Sequence, residues 1–171
     1  MSTEAPSCDE EWHVESAVTT VESAAGDRTE QVVLLNPCAT GTLLLRVMRS
    51  PQSIVSEAAW DTLQVGEHGH ARFGHEALKL NHSTMPNTRI AINEQSVDVV
   101  AATSIAANEA LSFDYNTTEW KMAEPFTDWV SGANVQGFYF ASPADQARLL
   151  LGGLVAPHIR KLAEHNYWLN R

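Results

Sequence analysis

Asn81-His82-Ser83-Thr84-Met85-Pro86-Asn87 is the stretch on which the fold turns. Asn-His-Ser is an ordinary tripeptide, and its weight comes from what surrounds it. Directly after it, Thr88-Arg89-Ile90-Ala91-Ile92 alternates polar and apolar residues as a half-buried strand does. Asn93-Glu94-Gln95 is a polar break, and Ser96-Val97-Asp98-Val99-Val100 resumes the same type, so the two segments predict a hairpin. Beyond the hairpin stands a second polar and aromatic run, Ala107-Asn108-Glu109-Ala110-Leu111-Ser112-Phe113-Asp114-Tyr115-Asn116.

Further out, short strands continue upstream. Gln31-Val32-Val33-Leu34-Leu35 is an apolar, β-branched run closed by Asn36-Pro37. Thr42 to Met48 follows the turn-forming Ala39-Thr40-Gly41, and Trp60 to Val65 reads as a strand ended by Gly66. The character changes after Phe140. Ser142-Pro143-Ala144-Asp145 offers a capping hydroxyl, a proline in the first turn and a carboxylate three residues on, which predicts a helix to Leu151 before Gly152-Gly153. A second helix is expected from Pro157 to about His165.

The two runs, in this order and with a strand pair between them, resemble the signatures of SET domains, the fold of protein-lysine methyltransferases. Asn81 to Asn87 is similar to the family's NHSxxPN motif, and Ala107 to Asn116 to its "aGEELtfDYN" run, which carries the catalytic tyrosine. Weaker likenesses occur at Ala39–Leu44, Leu63–His70 and from Met122 to Phe126 onward, so the resemblance covers roughly residues 28 to 141, with 50 to 60 unmatched. It implies a mainly β, SET-like fold with a pseudoknot and short C-terminal helices. The division expected is a disordered acidic tail over 1–11, a SET-like domain over 12–141 and a helical extension over 142–171. The cofactor implied is S-adenosylmethionine, held by Asn81 and His82, with Gly26 and Phe113 completing its site. Tyr115 is the implied catalytic residue, orienting a lysine-like amine for in-line attack. Such a reaction needs positioning and dipoles aimed at developing charge more than strong acids or bases.

Two departures from the family pattern are visible. The family's Gly-x-Gly turn has one glycine here, in Gly26-Asp27-Arg28-Thr29-Glu30-Gln31-Val32. The family's post-SET cysteines fall on Asp128, Val130 and Val135, and valine binds no metal, so no zinc is expected there. Trp129, Phe138, Tyr139 and Phe140 are expected to replace the metal by apolar packing.

Composition narrows the function classes. The 171 residues suit one domain, and 44% hydrophobic content is enough for a core. No apolar run reaches the ~20 residues of a membrane helix, and Met1 to Glu11 lacks the basic start and apolar segment of a signal peptide. The expectation is an intracellular protein, cytoplasmic or nuclear, with no membrane partner. Two cysteines, Cys8 and Cys38, make neither a disulfide framework nor a zinc site. A net charge of −10, from 21 acidic and 11 basic residues, disfavours direct nucleic-acid binding and attracts basic partners. The partner expected is a lysine-bearing protein or a small-molecule amine.

Competing readings stay open at this level. His68, His70, His75 and His82 cluster beside Glu67 and Glu76, yet hydrogen-bonded histidines are the commoner outcome and no metal site is assigned. Tyr115 is either catalytic or a core tyrosine. A SET-type methyltransferase stands against a pseudoenzyme kept for binding or assembly, and against a SET fold repurposed for a small-molecule biosynthetic reaction.

Overall fold

The computed structural model describes residues 9–22, 28–74, 76–128 and 131–169. The chain is mainly β. Its strands are β1 (Asp9–Trp12), β2 (Ser16–Glu22), β3 (Arg28–Leu34), β4 (Leu43–Met48), β5 (Ile54–Val55), β6 (Thr62–Gln64) and β7 (His70–Arg72). They continue as β8 (Asn81–His82), β9 (Thr88–Ile92), β10 (Ser96–Ala101), β11 (Ser112–Phe113), β12 (Phe126–Thr127) and β13 (Asn134–Val135), before α1 (Pro143–Leu151) and α2 (Pro157–Leu169). Contacts divide the chain into two compact units, one built from 9–48 with 73–114 and the other from 49–72 with 115 onward.

In the first unit, β1-β4-β10-β9 form a four-stranded antiparallel sheet. The predicted hairpin is β9–β10, with Val97 opposite Ile92 and Ala101 opposite Thr88. β10 is not half-buried as its alternation suggested: every residue from Ser96 to Ala101 is buried. It lies between β4 and β9, and Val97 and Val99 are wholly enclosed. The one charge on it, Asp98, is matched across the ladder by Arg46, whose Nε and Nη2 donate at 2.8 and 2.7 Å. That guanidinium holds the Asp98 carboxyl below the usual carboxylate range.

Asp9, Glu10 and Glu11, which composition placed in a disordered tail, are part of β1 and pair with Met48, Val47 and Arg46. The Glu10 carboxylate accepts the backbone N–H of Gly74 at 2.6 Å, so acidity here anchors the chain. β2 and β3 form a second hairpin, registered from Ser16–Leu34 to Glu22–Arg28. Along β3 runs the segment before β11: Asn108 N–H donates to Leu34 O at 2.7 Å, and Leu111 N–H to Val32 O at 2.8 Å. Asn108 has φ 63°. The signature this segment resembles has glycine at that place, and asparagine is among the few residues that enter the left-handed region readily.

The second unit holds the three-stranded sheet β5-β7-β6, the β12–β13 hairpin and both helices. α1 begins as its sequence predicts: Ser142 Oγ accepts Asp145 N–H at 3.1 Å, with Pro143 in the first turn. α2 starts at the expected Pro157 and runs past His165 to Leu169. Gly137 is the one residue type this unit's backbone admits at its position. Its φ is 100°, and an added Cβ would lie 2.8 Å from Trp120 O and 3.0 Å from Glu119 O. Gly137→Ala should therefore destabilise the protein by about 2 kcal/mol, read as a lower denaturant midpoint with an unchanged slope.

Candidate functional site

The two sequence motifs meet in the first unit. β8, which is Asn81-His82, pairs in parallel with β11, so that Asn81 faces Ser112 and His82 faces Phe113. Ser83 N–H extends the contact by donating to Phe113 O at 3.1 Å. Asn87 closes it. Its Nδ2 donates to Ala110 O at 2.8 Å and to Glu109 Oε1 at 2.9 Å, while its Oδ1 accepts Ser112 N–H at 2.9 Å. Glu109 is in turn fixed by the Ala106 N–H at 2.9 Å; that bond and Asn87 hold its carboxyl below the usual range. Thr88, buried, adds Oγ1 to Ser112 O at 2.8 Å. Asn87, Thr88 and Glu109 are thus the brace of the site, and no role was assigned to them from sequence. The signal for Asn87 and Glu109 lay inside the two motifs, and Thr88 directly follows the first.

Of the residues assigned to the cofactor, Asn81 is half-buried, and its Nδ2 lies 3.5 Å from Glu30 O, the outer limit of a hydrogen bond. Lys79 pairs with the Glu30 carboxylate at 2.5 Å beside it. The His82 imidazole is enclosed, with Nδ1 3.9 Å from Asp114 Oδ1 and each side chain 2% exposed. The imidazole is therefore enclosed as a packing element. Phe113 is buried. Gly26 lies outside the described residues.

Tyr115 belongs to the second unit, in a single 3-10 turn from Tyr115 to Thr117. Its ring meets Phe126 edge-on, with centroids 5.9 Å apart at 67°. One turn on, Glu119 N–H donates to Tyr115 O at 2.9 Å. The Glu119 carboxylate accepts Gln64 N–H at 2.8 Å, and the Gln64 side chain accepts Trp120 N–H at 2.8 Å and donates to Gly66 O at 2.9 Å. Burial raises the Glu119 carboxyl to about 7 against the pull of these donors. Burial, and then the Glu119 charge, raise the Tyr115 phenol above its ordinary value. At neutral pH Tyr115 is a neutral hydroxyl.

The segment aligned with the post-SET cysteines folds as the β12–β13 hairpin. Asp128 is buried and closes its turn, accepting Ser131 N–H at 2.9 Å and the Ser131 hydroxyl. Val135 is buried opposite Phe126, while Trp129 and Val130 lie outside the described residues. Phe138 does pack as expected, stacked on Trp120 at 5.7 Å and 19°, but Phe140 is 55% exposed. Among the histidines, His68 and His70 lie in the second unit and His82 in the first, and His75 is outside the described residues. Among the described residues no group of three or more His, Cys, Asp or Glu side chains is placed to hold a metal, and no helix is long and apolar enough to cross a membrane.

No family model matches the chain. Over 103 residues it is 24% identical to Methyltransferase flvH of Aspergillus flavus, a match covering 60% of this chain and 58% of that protein's length. Among solved structures it is similar to a candidate histone methyltransferase of Plasmodium falciparum, with 16% identity, a TM-score of 0.46, and coverage of 61% of this chain and 96% of that one. It is also similar to a chain of the Chaetomium thermophilum polycomb repressive complex 2 bound to S-adenosylmethionine, with 17% identity and a TM-score of 0.46, covering 81% of this chain and 22% of that one.

Proposed function

We propose that this chain is a SET-type methyltransferase that uses S-adenosylmethionine to methylate a lysine-like amine. The observation that carries the reading is the parallel pairing of Asn81-His82 with Ser112-Phe113, stapled by Asn87. Segments 31 residues apart in sequence are brought together at residues of the two motifs that resemble those of SET domains. The Aspergillus relative, a methyltransferase by name, supports methyl transfer.

The residues present fit the cofactor. The Asn81 carboxamide is held only at 3.5 Å and can turn to a nucleoside or amino-acid group at small cost. The cofactor supplies an electrophilic methyl group on a sulfonium. This chain's residues do the rest: the β8 backbone and Asn81 bind, Asn87 and Glu109 keep β8 and β11 in register, and Tyr115 offers a neutral hydroxyl to orient the amine. Net charge −10 draws a cationic substrate, whether a lysine-bearing protein or a small amine.

Calorimetry with S-adenosylmethionine and S-adenosylhomocysteine tests this directly. Both should bind, and Asn81→Ala should weaken them roughly tenfold through loss of one buried hydrogen bond. No heat at millimolar ligand would overturn the cofactor reading and leave a protein that keeps the motifs for binding or assembly.

A further inference from the structure

The rings that follow Gly137 form a feature separate from the cofactor reading. Phe138–Phe140 is one 3-10 turn whose Tyr139 N–H donates to Trp120 O at 3.0 Å. The Tyr139 ring meets Trp120 at 5.5 Å and 60°, so both its backbone and its plane are fixed. Phe140 stands at 88° to Tyr139 with centroids 4.9 Å apart. Tyr139 is 38% exposed and Phe140 55%. Two perpendicular aromatic faces therefore make a corner open to water. A cation already stands in it: Lys121 Nζ lies 4.4 Å from the Tyr139 centroid and 5.9 Å from that of Phe140.

We infer that this corner is a binding site for a methylated lysine side chain of a partner peptide, with Lys121 as its resident stand-in. Lys121 defines the ligand class, an alkyl stem ending in a cationic nitrogen. Ring quadrupoles attract such a cation, and quaternary ammonium groups are the ligands aromatic corners recognise best. The unmethylated Lys121 ammonium is compact and strongly hydrated, so it gains less from leaving water than a trimethylated one. The acidic chain adds long-range attraction for a basic peptide. Lys121 is exposed and its hold on the corner is weak, so it competes with an incoming ligand by only a few-fold.

The test is a titration of the full chain with Nα-acetyl-trimethyllysine amide, following the Tyr139 and Phe140 ring resonances by NMR. Choline and the uncharged tert-butyl isostere of trimethyllysine are run in parallel. Saturable shifts with trimethyllysine are expected, with at least fivefold weaker binding of the isostere and of choline. Lys121→Ala should tighten trimethyllysine binding roughly two- to fivefold by removing the competitor. Phe140→Ala, at an exposed position, should abolish the saturable shifts, whereas Tyr139→Phe, which keeps the π face, should retain them. Asn81→Ala should leave them unchanged, which keeps this result separate from the cofactor test. Equal binding of the isostere would reduce the corner to an apolar patch and overturn the proposal. Equal binding of choline would overturn the assignment to lysine, and unchanged affinity in Lys121→Ala would remove Lys121 as the stand-in.

Discussion

If the proposed function holds, Tyr115→Phe is expected to fold, to match the unaltered protein's affinity for S-adenosylmethionine, and to lose turnover on the order of 10- to 1000-fold. The fold should survive because the ring keeps its edge-on contact with Phe126 and only a hydroxyl is removed. Burial and the neighbouring Glu119 keep that hydroxyl protonated, so it acts as a fixed dipole and hydrogen-bonding group. If Tyr115 aligns the amine as proposed above, the loss should fall on kcat more than on the cofactor Kd. The assay is methyl transfer to a lysine peptide, with thermal melting of the same variant alongside. Unchanged turnover would take Tyr115 out of the mechanism, and a melt lowered by several degrees would make it a core residue.

What the sequence disclosed followed from local periodicity and from motif residues that act on their own backbone neighbourhood. The β9–β10 hairpin and the starts of both helices are visible because alternation, capping hydroxyl and proline all act within a few residues. Burial of β10 on both faces is set by β4 and β9 on either side of it, which alternation within β10 does not reveal. β5 and β7 have two and three residues, too few for any period to show. β2, Ser16–Glu22, is not among the strands expected from sequence, although it pairs residue for residue with β3.

The candidate site divides the same way. Asn81, His82 and Phe113 could be named because their spacing matches known signatures, and β8 and β11 do pair through them. The roles within the motifs were less legible. Asn87 spends three hydrogen bonds on the opposite segment, and His82 buries its imidazole against Asp114, facts that depend on residues over twenty positions away. Asp128 shows the converse. Its place in a cysteine template suggested a lost ligand, whereas the carboxylate closes the β12–β13 turn through Ser131. Glu119 gave no signal at all, because a carboxyl four residues past Tyr115 reads as surface until Gln64 and its neighbours enclose it.

That enclosure predicts how stability varies with pH. The Glu119 carboxyl titrates at about 7 in the folded chain against an ordinary 4.5, because burial penalises its charge more than the Gln64 and Thr118 donors relieve it. The folded state therefore holds a proton that the unfolded state has released between those values. Stability from this group is fully present below about pH 4.5 and is lost as pH rises through about 7, a change of about 3 kcal/mol. Glu119→Gln keeps an oxygen for the Gln64 N–H and cannot ionise. Relative to the unaltered protein it should be near neutral at pH 4.5 and more stable by about 3 kcal/mol at pH 8, measured by urea unfolding at each pH. His70 and His158, whose ring pKa values burial lowers, add the opposite trend as pH falls below their ordinary value of 6.5. That trend is common to both proteins and cancels in their difference. A difference that stays flat from pH 4.5 to 8 would mean that Glu119 is solvated in the folded chain, and the added restraint on the Tyr115 phenol would go with it.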